Sequence, residues 1–422
     1  MPIETVLQIV RDGKNSGCRE VLLTLGEKPE IRYRQVKQWL ETNGFSSTLE
    51  YVETVAEAIL HETGLLPHIN AGTMNESDLL RLKRVSASMG LMLESGASSL
   101  CKPGGPHFGS PDKSPFRRWL TLARAGRLKI PMTTGLLLGI GETRDDRLRD
   151  LYRIRRLHCR YGHIQEVIIQ NFRSKTGTKM ATAKEPDITE LVWTIAVARK
   201  ILPLDVSIQA PPNLNPNVLL NLLDSGINDW GGVSPVTPDY VNPEAPWPSL
   251  DSLRVAVASR GKTLVPRLTV YPRYIKNSGW IHSNVYPHVL ELADTEGLAR
   301  DDDWRAGVSK QIPKFVSDLR SRPSSLISEL TMAVSQGEDI GKKGFLGLLS
   351  ARGFDLELVC KMADKLRSAQ VGEAVSYVVN RNINYTNVCL YSCKFCAFSK
   401  RAGYSRGREP YVLDGTELRR RV

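Results

Sequence analysis

No stretch of this 422-residue chain approaches the roughly 18 consecutive apolar residues that a membrane-spanning helix needs, so no membrane partner is expected. The opening MPIETVLQIVRDGKNSG carries acidic residues and no long apolar core, which argues against a signal or Arg-rich transit peptide. Low-complexity tracts and short-period repeats are also missing. Cysteine is scarce and odd in number: seven residues, four of them far apart, exclude a disulfide-stapled secreted scaffold and suit a reducing compartment. An intracellular protein, cytoplasmic or organellar and not secreted, is the expectation. With 41% hydrophobic and 24% charged residues, the chain can bury one large core with an appendage. The net charge of +12 would suit a nucleic-acid partner, yet acids are interspersed with the bases over most of the length, so no such partner is expected. The C-terminus is the exception: Lys400, Arg401, Arg406, Arg408, Arg419, Arg420 and Arg421 outnumber Glu409, Asp414 and Glu417. That tail reads as either anion-binding or simply solvated.

What is present alternates. From Val6 to about Tyr274, short apolar, often β-branched runs take turns with amphipathic stretches of helical length, which predicts repeated βα units around a parallel sheet. Strands are predicted at Glu20–Thr24, Pro67–Asn70, Ser88–Met92, Pro131–Leu138, Glu166–Gln170 and Val206–Gln209. Helices are predicted at Leu49–His61, Glu76–Arg84, Arg117–Ala125, Arg144–Tyr161 and Ile188–Leu202. Several strands end in Gly, Asn, Gln or Glu, and barrel enzymes place their chemistry at the carboxyl ends of their strands. The expected fold is therefore α/β, a complete or incomplete TIM-type βα barrel. Residues 275–373 are charged and helical in pattern and are expected to form a connector. After them AVSYVVN, Ala374–Asn380, reads as a new strand opening a further segment, 374–422.

The most specific signal follows that strand. In NYTNVCLYSCKFCAFSK, Cys389, Cys393 and Cys396 are separated by three and then two residues. Three thiolates on one loop can each hold one iron of a 4Fe-4S cube and leave the fourth iron open to a small chelating ligand. Tyr391 and Phe395 between them suit an apolar cover. A structural zinc site usually wants four protein ligands in paired groups, and no partner pair is present. Cys18, Cys101, Cys159 and Cys360 read as packed or surface thiols.

This triplet, in the context SYVVNRNINYTNVCLYSCKFCAFSK, resembles the FO synthase family of the radical S-adenosylmethionine (SAM) superfamily, two-barrel enzymes that make a deazaflavin chromophore. The C-terminal segment resembles the start of the barrel that handles tyrosine. The stretches TLGEKPEIRY, ETGLLPHINAG, SMGLMLES, PDKSP, GLLLGIGETRDDR, YGHIQEVIIQNF, IQAPPNLNP, GINDWGGVSPVTPDYVNPEAPWP and VYPRY resemble the ring-closing barrel. The resemblance covers about the first 274 residues and the last 50. It implies that residues 1–274 form a radical SAM barrel lacking its first strand and cluster loop, and that residues 374–422 are the truncated start of a second barrel.

The family pattern also suggests site residues. Gly26, Glu27 and Pro29 stand where radical SAM barrels carry a Gly-Glu-Pro turn for the SAM ammonium. A carboxylate with nearby backbone carbonyls is what such a donor requires. Gly135, Gly139 and Glu142 match a Gly-x-Ile-x-Gly-x-x-Glu pattern, with Leu137 at the apolar position and small residues that would admit adenine. Glu94, after SMGLML, reads either as a further candidate for SAM polar contacts or as an ordinary exposed carboxylate at a helix start. For substrate, the amides and aromatic plane of Gln170, Asn171, Gln209, Asn213, Asn228, Asp229 and Trp230 suit a ribityl chain and pyrimidine ring. His68 and Asn70 either face the same cavity or, for the histidine, sit satisfied in the core.

By resemblance the cofactors are a 4Fe-4S cluster and SAM, with an external electron donor. Tyrosine would be cleaved between Cα and Cβ by a 5'-deoxyadenosyl radical and its hydroxybenzyl fragment joined to 5-amino-6-(D-ribitylamino)uracil. A second radical step on the adduct would close the ring and release ammonia, giving 7,8-didemethyl-8-hydroxy-5-deazariboflavin. These are lyase and transferase activities in which the cofactor carries the hard chemistry. Three states of such a chain are open: a fragment inactive alone, a module that binds SAM or precursors without radical chemistry, and a permuted site in which the C-terminal loop docks beside the first barrel.

Overall fold

The computed structural model describes residues 1–277, 279–300, 323–376, 378, 382–390, 396, 398–399 and 410–421. They fall into two compact units, Met1–Asp302 with Tyr385–Val422, and Asp303–Asn384.

The first unit opens with α1 (Ile3–Asn15), then alternates strands β1 (Glu20–Thr24), β2 (Leu66–Asn70), β3 (Ser88–Gly90), β4 (Met132–Leu138), β5 (Ile164–Asn171) and β6 (Ser207–Gln209) with helices. Between β1 and β2 lie α2 (Arg34–Thr42) and α3 (Thr48–Thr63); α4 (Glu76–Lys83), α5 (Pro115–Arg127), α6 (Arg144–Tyr161) and α7 (Ile188–Ile201) each fill one later crossover. After β6 come α8 (Leu219–Ser225), α9 (Leu250–Ala258), α10 (Pro272–Ile275) and α11 (Tyr286–Leu292). All six strands are parallel and pair in sequence order, as the alternating pattern predicts. Strands covered on both faces need apolar residues almost throughout, and β4 and β5 are buried nearly end to end.

Local signals account for the helix limits. Asn75 and Asp78 form a reciprocal capping box at α4, and Thr143 and Asp146 form another at α6. The helices α3 and α6 stop at Gly64 and Gly162, both in the left-handed conformation that a C-terminal cap demands. The inward stripe of α3, Leu49, Val52, Ala56 and Leu60, recurs at helical spacing and packs in the main core.

In a flat sheet with strands about 4.8 Å apart, β1 and β6 would lie roughly 24 Å from each other. Yet one guanidinium, Arg267, pairs with Glu166 of β5 (3.0 Å) and with Asp229 beside β6 (2.5 Å), and it also acts on Glu20 of β1. The sheet therefore curls around the returning segment Arg267–Tyr271 into an incomplete barrel. Ser88 and Gln165 donate to the Thr269 carbonyl at 3.0 and 2.9 Å, while the Tyr271 hydroxyl lies 2.8 Å from Asp229 and 3.1 Å from Glu166. A bulge between β4 and β5 leaves Gln165 unpaired in the ladder, so both Gln165 and Glu166 reach this inner cluster. Three carboxyls face one cation. Asp229 takes two guanidinium contacts and stays ionised, because Arg267 outweighs the burial that opposes its charge. Burial pushes Glu20 up, and burial with the neighbouring Asp229 charge raises Glu166 to about 7 even beside Arg267.

The barrel unit continues past the expected boundary at residue 274. Ile281, Val285, Val289, Leu292 and Ala299 join its core, so the segment to residue 300 is not connector: its apolar residues line one helical face and the chain beside it. The second unit contains α12 (Ser325–Ser335), α13 (Gly341–Leu349) and α14 (Phe354–Val371), in keeping with the helical pattern. Of the strand expected at 374–380, residues 374–376 and 378 join no sheet and the others lie outside the described residues. Further on, Thr386 and Val412 form an antiparallel bridge, and α15 spans Gly415–Arg421. No helix among the described residues is long and apolar enough to cross a membrane.

Two outcomes follow for stability, both read by denaturant unfolding. Arg267→Leu leaves Asp229 buried without its cation and is expected to cost about 3–5 kcal/mol, against about 1 kcal/mol for Thr143→Ala at the α6 cap; a loss at Arg267 no larger than at Thr143 refutes the role given to the inner cluster. Because the folded-state value of Glu166 lies above its ordinary 4.5, its contribution is complete below pH 4.5 and fades as pH rises through about 7. Glu166→Gln is expected to flatten that part of the stability–pH curve.

Candidate functional site

Beyond β3 the chain turns sharply, and Glu94 occupies the turn with a φ of 64°, an uncommon left-handed conformation for a residue with a side chain. Its backbone bridges to β4, accepting from Leu137 N and donating to Gly135 O, both at 2.9 Å. The side chain is 13% exposed and meets His107 Nε2 at 3.0 Å, Lys113 Nζ, and Arg118 Nη1 at 3.7 Å. Burial opposes its charge, but His107, Lys113 and Arg118 together hold the carboxyl at about 2. Arg118 also donates to Met92 O, which ties α5 to the same strand exit. An ionised carboxylate among basic groups can accept from hydroxyl or ammonium donors, while the lysine and arginine can receive a ligand carboxylate.

At the β1 exit, Gly26 and Glu27 precede a short 3-10 turn, Pro29–Ile31. Glu27 accepts from the Thr73 hydroxyl, and a Cβ on Gly72 would stand 2.3 Å from its other oxygen, so glycine is needed there for the carboxyl to nest. That second oxygen, Oε2, is buried with no hydrogen-bond partner among the described residues, and burial raises the carboxyl. A buried acceptor left over in the turn fits the ammonium end of SAM. Gly26 is exposed with open space at its Cβ position. Glu30, in the same run, is occupied elsewhere, accepting from Thr48 N at the start of α3 (3.2 Å).

At the β4 exit the glycines serve the protein's own packing. A Cβ on Gly135 would meet Ile168 O at 2.4 Å, and one on Gly139, whose φ is 91°, would meet the Pro186 ring at 2.6 Å. Glu142 accepts from Gly139 N, Ile140 N and Arg147, and its side chain is only 1% exposed. Of the two glycines only Gly139 is partly accessible, and Glu142 leaves no free carboxylate.

The residues expected to bind substrate separate into two groups. Asn171, at the end of β5, accepts from Asn215 (2.8 Å); Asn213 donates to Asp239 (3.0 Å) and to Ala245 O (3.2 Å); Asn242 links Asp239 to Lys175. Asn213 Oδ1 is buried without a partner among the described residues. Gln170 is half-buried, Gln209 fills the space over Gly231, and Asn70 flanks Gly90 at the β2 end. The other group is turned to the fold. His68 bonds Ser88 Oγ (2.7 Å) and Thr269 Oγ1 (3.2 Å), and burial, with Arg267 nearby, holds it near 3 and so neutral. Asn228 accepts from Ile208 N and from Arg199, extending the β6 edge. Asp229 belongs to the inner ion cluster, and Trp230 is part of the core.

Cys389 and Cys396 carry exposed thiols, and Ser399 N donates to Cys396 Sγ at 3.4 Å, an interaction that suits a cluster-ligating sulfur. Cys393 lies outside the described residues. Cys18, Cys101, Cys159 and Cys360 are unpaired thiols in separate elements. Sequence reasoning missed His107, Lys113, Asn215 and Asn242 as site residues. The segment PDKSP held a visible signal in its lysine, but nothing local tied it to Glu94.

No family model matches the chain. It is 43% identical over 478 residues to the FO synthase of Mycobacterium tuberculosis, covering 99% of this chain and 56% of that protein, and thus spans about half the length of the curated relatives of this kind. It is 49% identical over 297 residues to the 7,8-didemethyl-8-hydroxy-5-deazariboflavin synthase of Methanopyrus kandleri, covering 70% of this chain and 88% of that protein. Among solved structures, HydG, a maturase of FeFe-hydrogenase, is similar with a TM-score of 0.50 at 13% identity, covering 87% of this chain and 75% of that one, which supports the barrel fold alone. With nearly half of the aligned positions identical across most of the length of the Methanopyrus protein, the chain belongs to the FO synthase family, the 7,8-didemethyl-8-hydroxy-5-deazariboflavin synthases.

Proposed function

We propose that the barrel of residues 1–300 is built for the ring-closing half of deazaflavin synthesis, and that Cys389, Cys393 and Cys396 belong to the cluster loop of the tyrosine-handling half. The observation that carries this reading is the Glu94 turn, an ionised carboxylate with His107, Lys113 and Arg118 around it at the strand exits. Its substrates are the adduct of tyrosine with 5-amino-6-(D-ribitylamino)uracil and SAM, and a one-electron donor is its further partner. When bound, the 4Fe-4S cluster and SAM supply hydrogen abstraction from an unreactive carbon.

The protein's own groups bind and orient. Glu27, with its leftover buried oxygen, accepts from the SAM ammonium. Glu94 accepts from the ribose hydroxyls, while Lys113 and Arg118 face the carboxylate of the methionine portion. Gly139, half-buried at the β4 exit, is the backbone position offered to the adenine. Asn70, Gln170, Asn171, Gln209 and Asn213 offer amides to the ribityl chain and pyrimidine ring. Asn213 is the most specific of these: both its amide hydrogens already point at acceptor-only oxygens, so its Oδ1 can only receive a donor. His68, Asn228, Asp229 and Trp230 support this arrangement from the fold and are not assigned to the ligand. A barrel that holds SAM or precursor without radical chemistry is the second reading, favoured by the separate placement of Cys18, Cys101 and Cys159.

Three measurements test these readings. After anaerobic reconstitution with iron and sulfide, the chain is expected to be brown, and Cys389→Ala or Cys396→Ala to lose most of the bound iron; unchanged iron content in both variants rejects the cluster assignment. For SAM, Glu94→Gln removes charge-assisted hydrogen bonds of about 1.5–3 kcal/mol, so calorimetry is expected to show roughly 10- to 150-fold weaker binding. Adduct turnover, followed by ammonia and 5'-deoxyadenosine release, separates an enzyme from a binding remnant.

A further inference from the structure

The Glu94 turn is tied to the sheet by backbone bonds and to the outer helix layer by two side chains, Arg118 of α5 ahead of it at Met92 O and a carboxylate of α6 behind it. Asp150, on α6 and only 2% exposed, accepts from Gly96 N at 2.7 Å. Its other oxygen would lie 2.1 Å from a Cβ on Gly96, so the contact exists only because that residue is glycine. Within the turn, Ser95 N donates to Leu93 O at 2.8 Å and Ala97 N to the Ser95 hydroxyl at 3.2 Å. Glu94 thus holds its left-handed backbone between an anchor to β4 on one side and an anchor to α6 two residues later.

A buried carboxylate is an expensive anchor. Its removal from water disfavours the charge, and burial raises Asp150 to about 6, against the Gly96 bond and the positive field of Arg153. Neighbouring inward positions of α6, Leu151 and Ile154, are apolar and fully buried, so packing alone would be served by another aliphatic residue. Backbone strain of the kind held at Glu94 persists only where surrounding contacts over-determine it.

We infer that Asp150 is a positioning residue: by holding the Gly96 amide it fixes the strained turn that aims Glu94 at SAM, without touching the ligand itself. The inference rests on the assignment of Glu94 to SAM given above. It uses only the hydrogen-bond acceptor of the side chain, which an amide can also provide.

The test is SAM binding by calorimetry on the full chain, together with hydrogen exchange at the Glu94 and Gly96 amides. Asp150→Ala is expected to weaken SAM binding about tenfold and to speed exchange at both amides, whereas Asp150→Asn keeps affinity within about twofold. Gly96→Ala, whose methyl displaces the carboxylate, is expected to resemble Asp150→Ala. In the Glu94→Gln background, Asp150→Ala should add little, since both act through one contact. Unchanged affinity in Glu94→Gln would overturn the SAM assignment of Glu94 itself. A clear loss in Glu94→Gln with none in Asp150→Ala, or equal losses in the Asn and Ala variants, would overturn the positioning role. Circular dichroism and the thermal midpoint of Asp150→Asn show that the helix is intact.

Discussion

A single guanidinium inside a curled sheet sets the terms for the rest of this molecule. Arg267 comes from a segment that follows the last strand of the sheet, yet it pairs with Glu166 of β5 and Asp229 beside β6 and reaches the field of Glu20 on β1. Strand pairing alone would allow an open, twisted sheet. The cluster draws the two ends toward one centre, and Thr269 and Tyr271 of the same segment satisfy His68, Ser88 and Glu166 along the way. With three carboxyls for one cation, the charges balance only if some carboxyls hold protons. Asp229, with two guanidinium contacts, stays ionised, while Glu166 and Glu20 are pushed upward.

That inner arrangement frees the strand exits for chemistry. Most polar residues of the inner cluster are consumed by one another, while at the exits, among the described residues, Glu27 and Asn213 each keep a buried oxygen without a partner and Glu94 sits among more basic groups than it can neutralise. Buried polar atoms in folded proteins are nearly always paired, so a leftover acceptor at a strand exit is a place where a ligand or water can complete the structure. The strained backbone of Glu94, latched from outside by Asp150, belongs to the same economy: local strain is kept where geometry matters to function.

Much of this organisation was legible in the chain. The βα alternation gave all six strands in order, and the amphipathic pattern placed α4 and α6 within a residue of their limits, which the capping pairs Asn75–Asp78 and Thr143–Asp146 explain. The Glu94 motif was visible too, though not its partners: His107, Lys113 and Arg118 lie 13 to 24 residues away, across a loop whose path no local rule dictates. The partner of Asp229 was hidden for the same reason. In GINDWGG the aspartate reads as a ligand group, but its partner Arg267 is 38 residues further on. Gly139 and Glu142 were found by pattern, and only the packing of Pro186 and Arg147 around them showed that their side-chain space and charge are already in use.

Sequence by itself determined the parallel βα architecture, the helical nature of the second unit, the cysteine spacing and the family, since each depends on periodicity or on residues a few positions apart. Tertiary structure decided which polar residues are spent on the fold and which remain available. Burial and long-range pairing make that choice, and both arise only when segments distant in the chain are brought into contact.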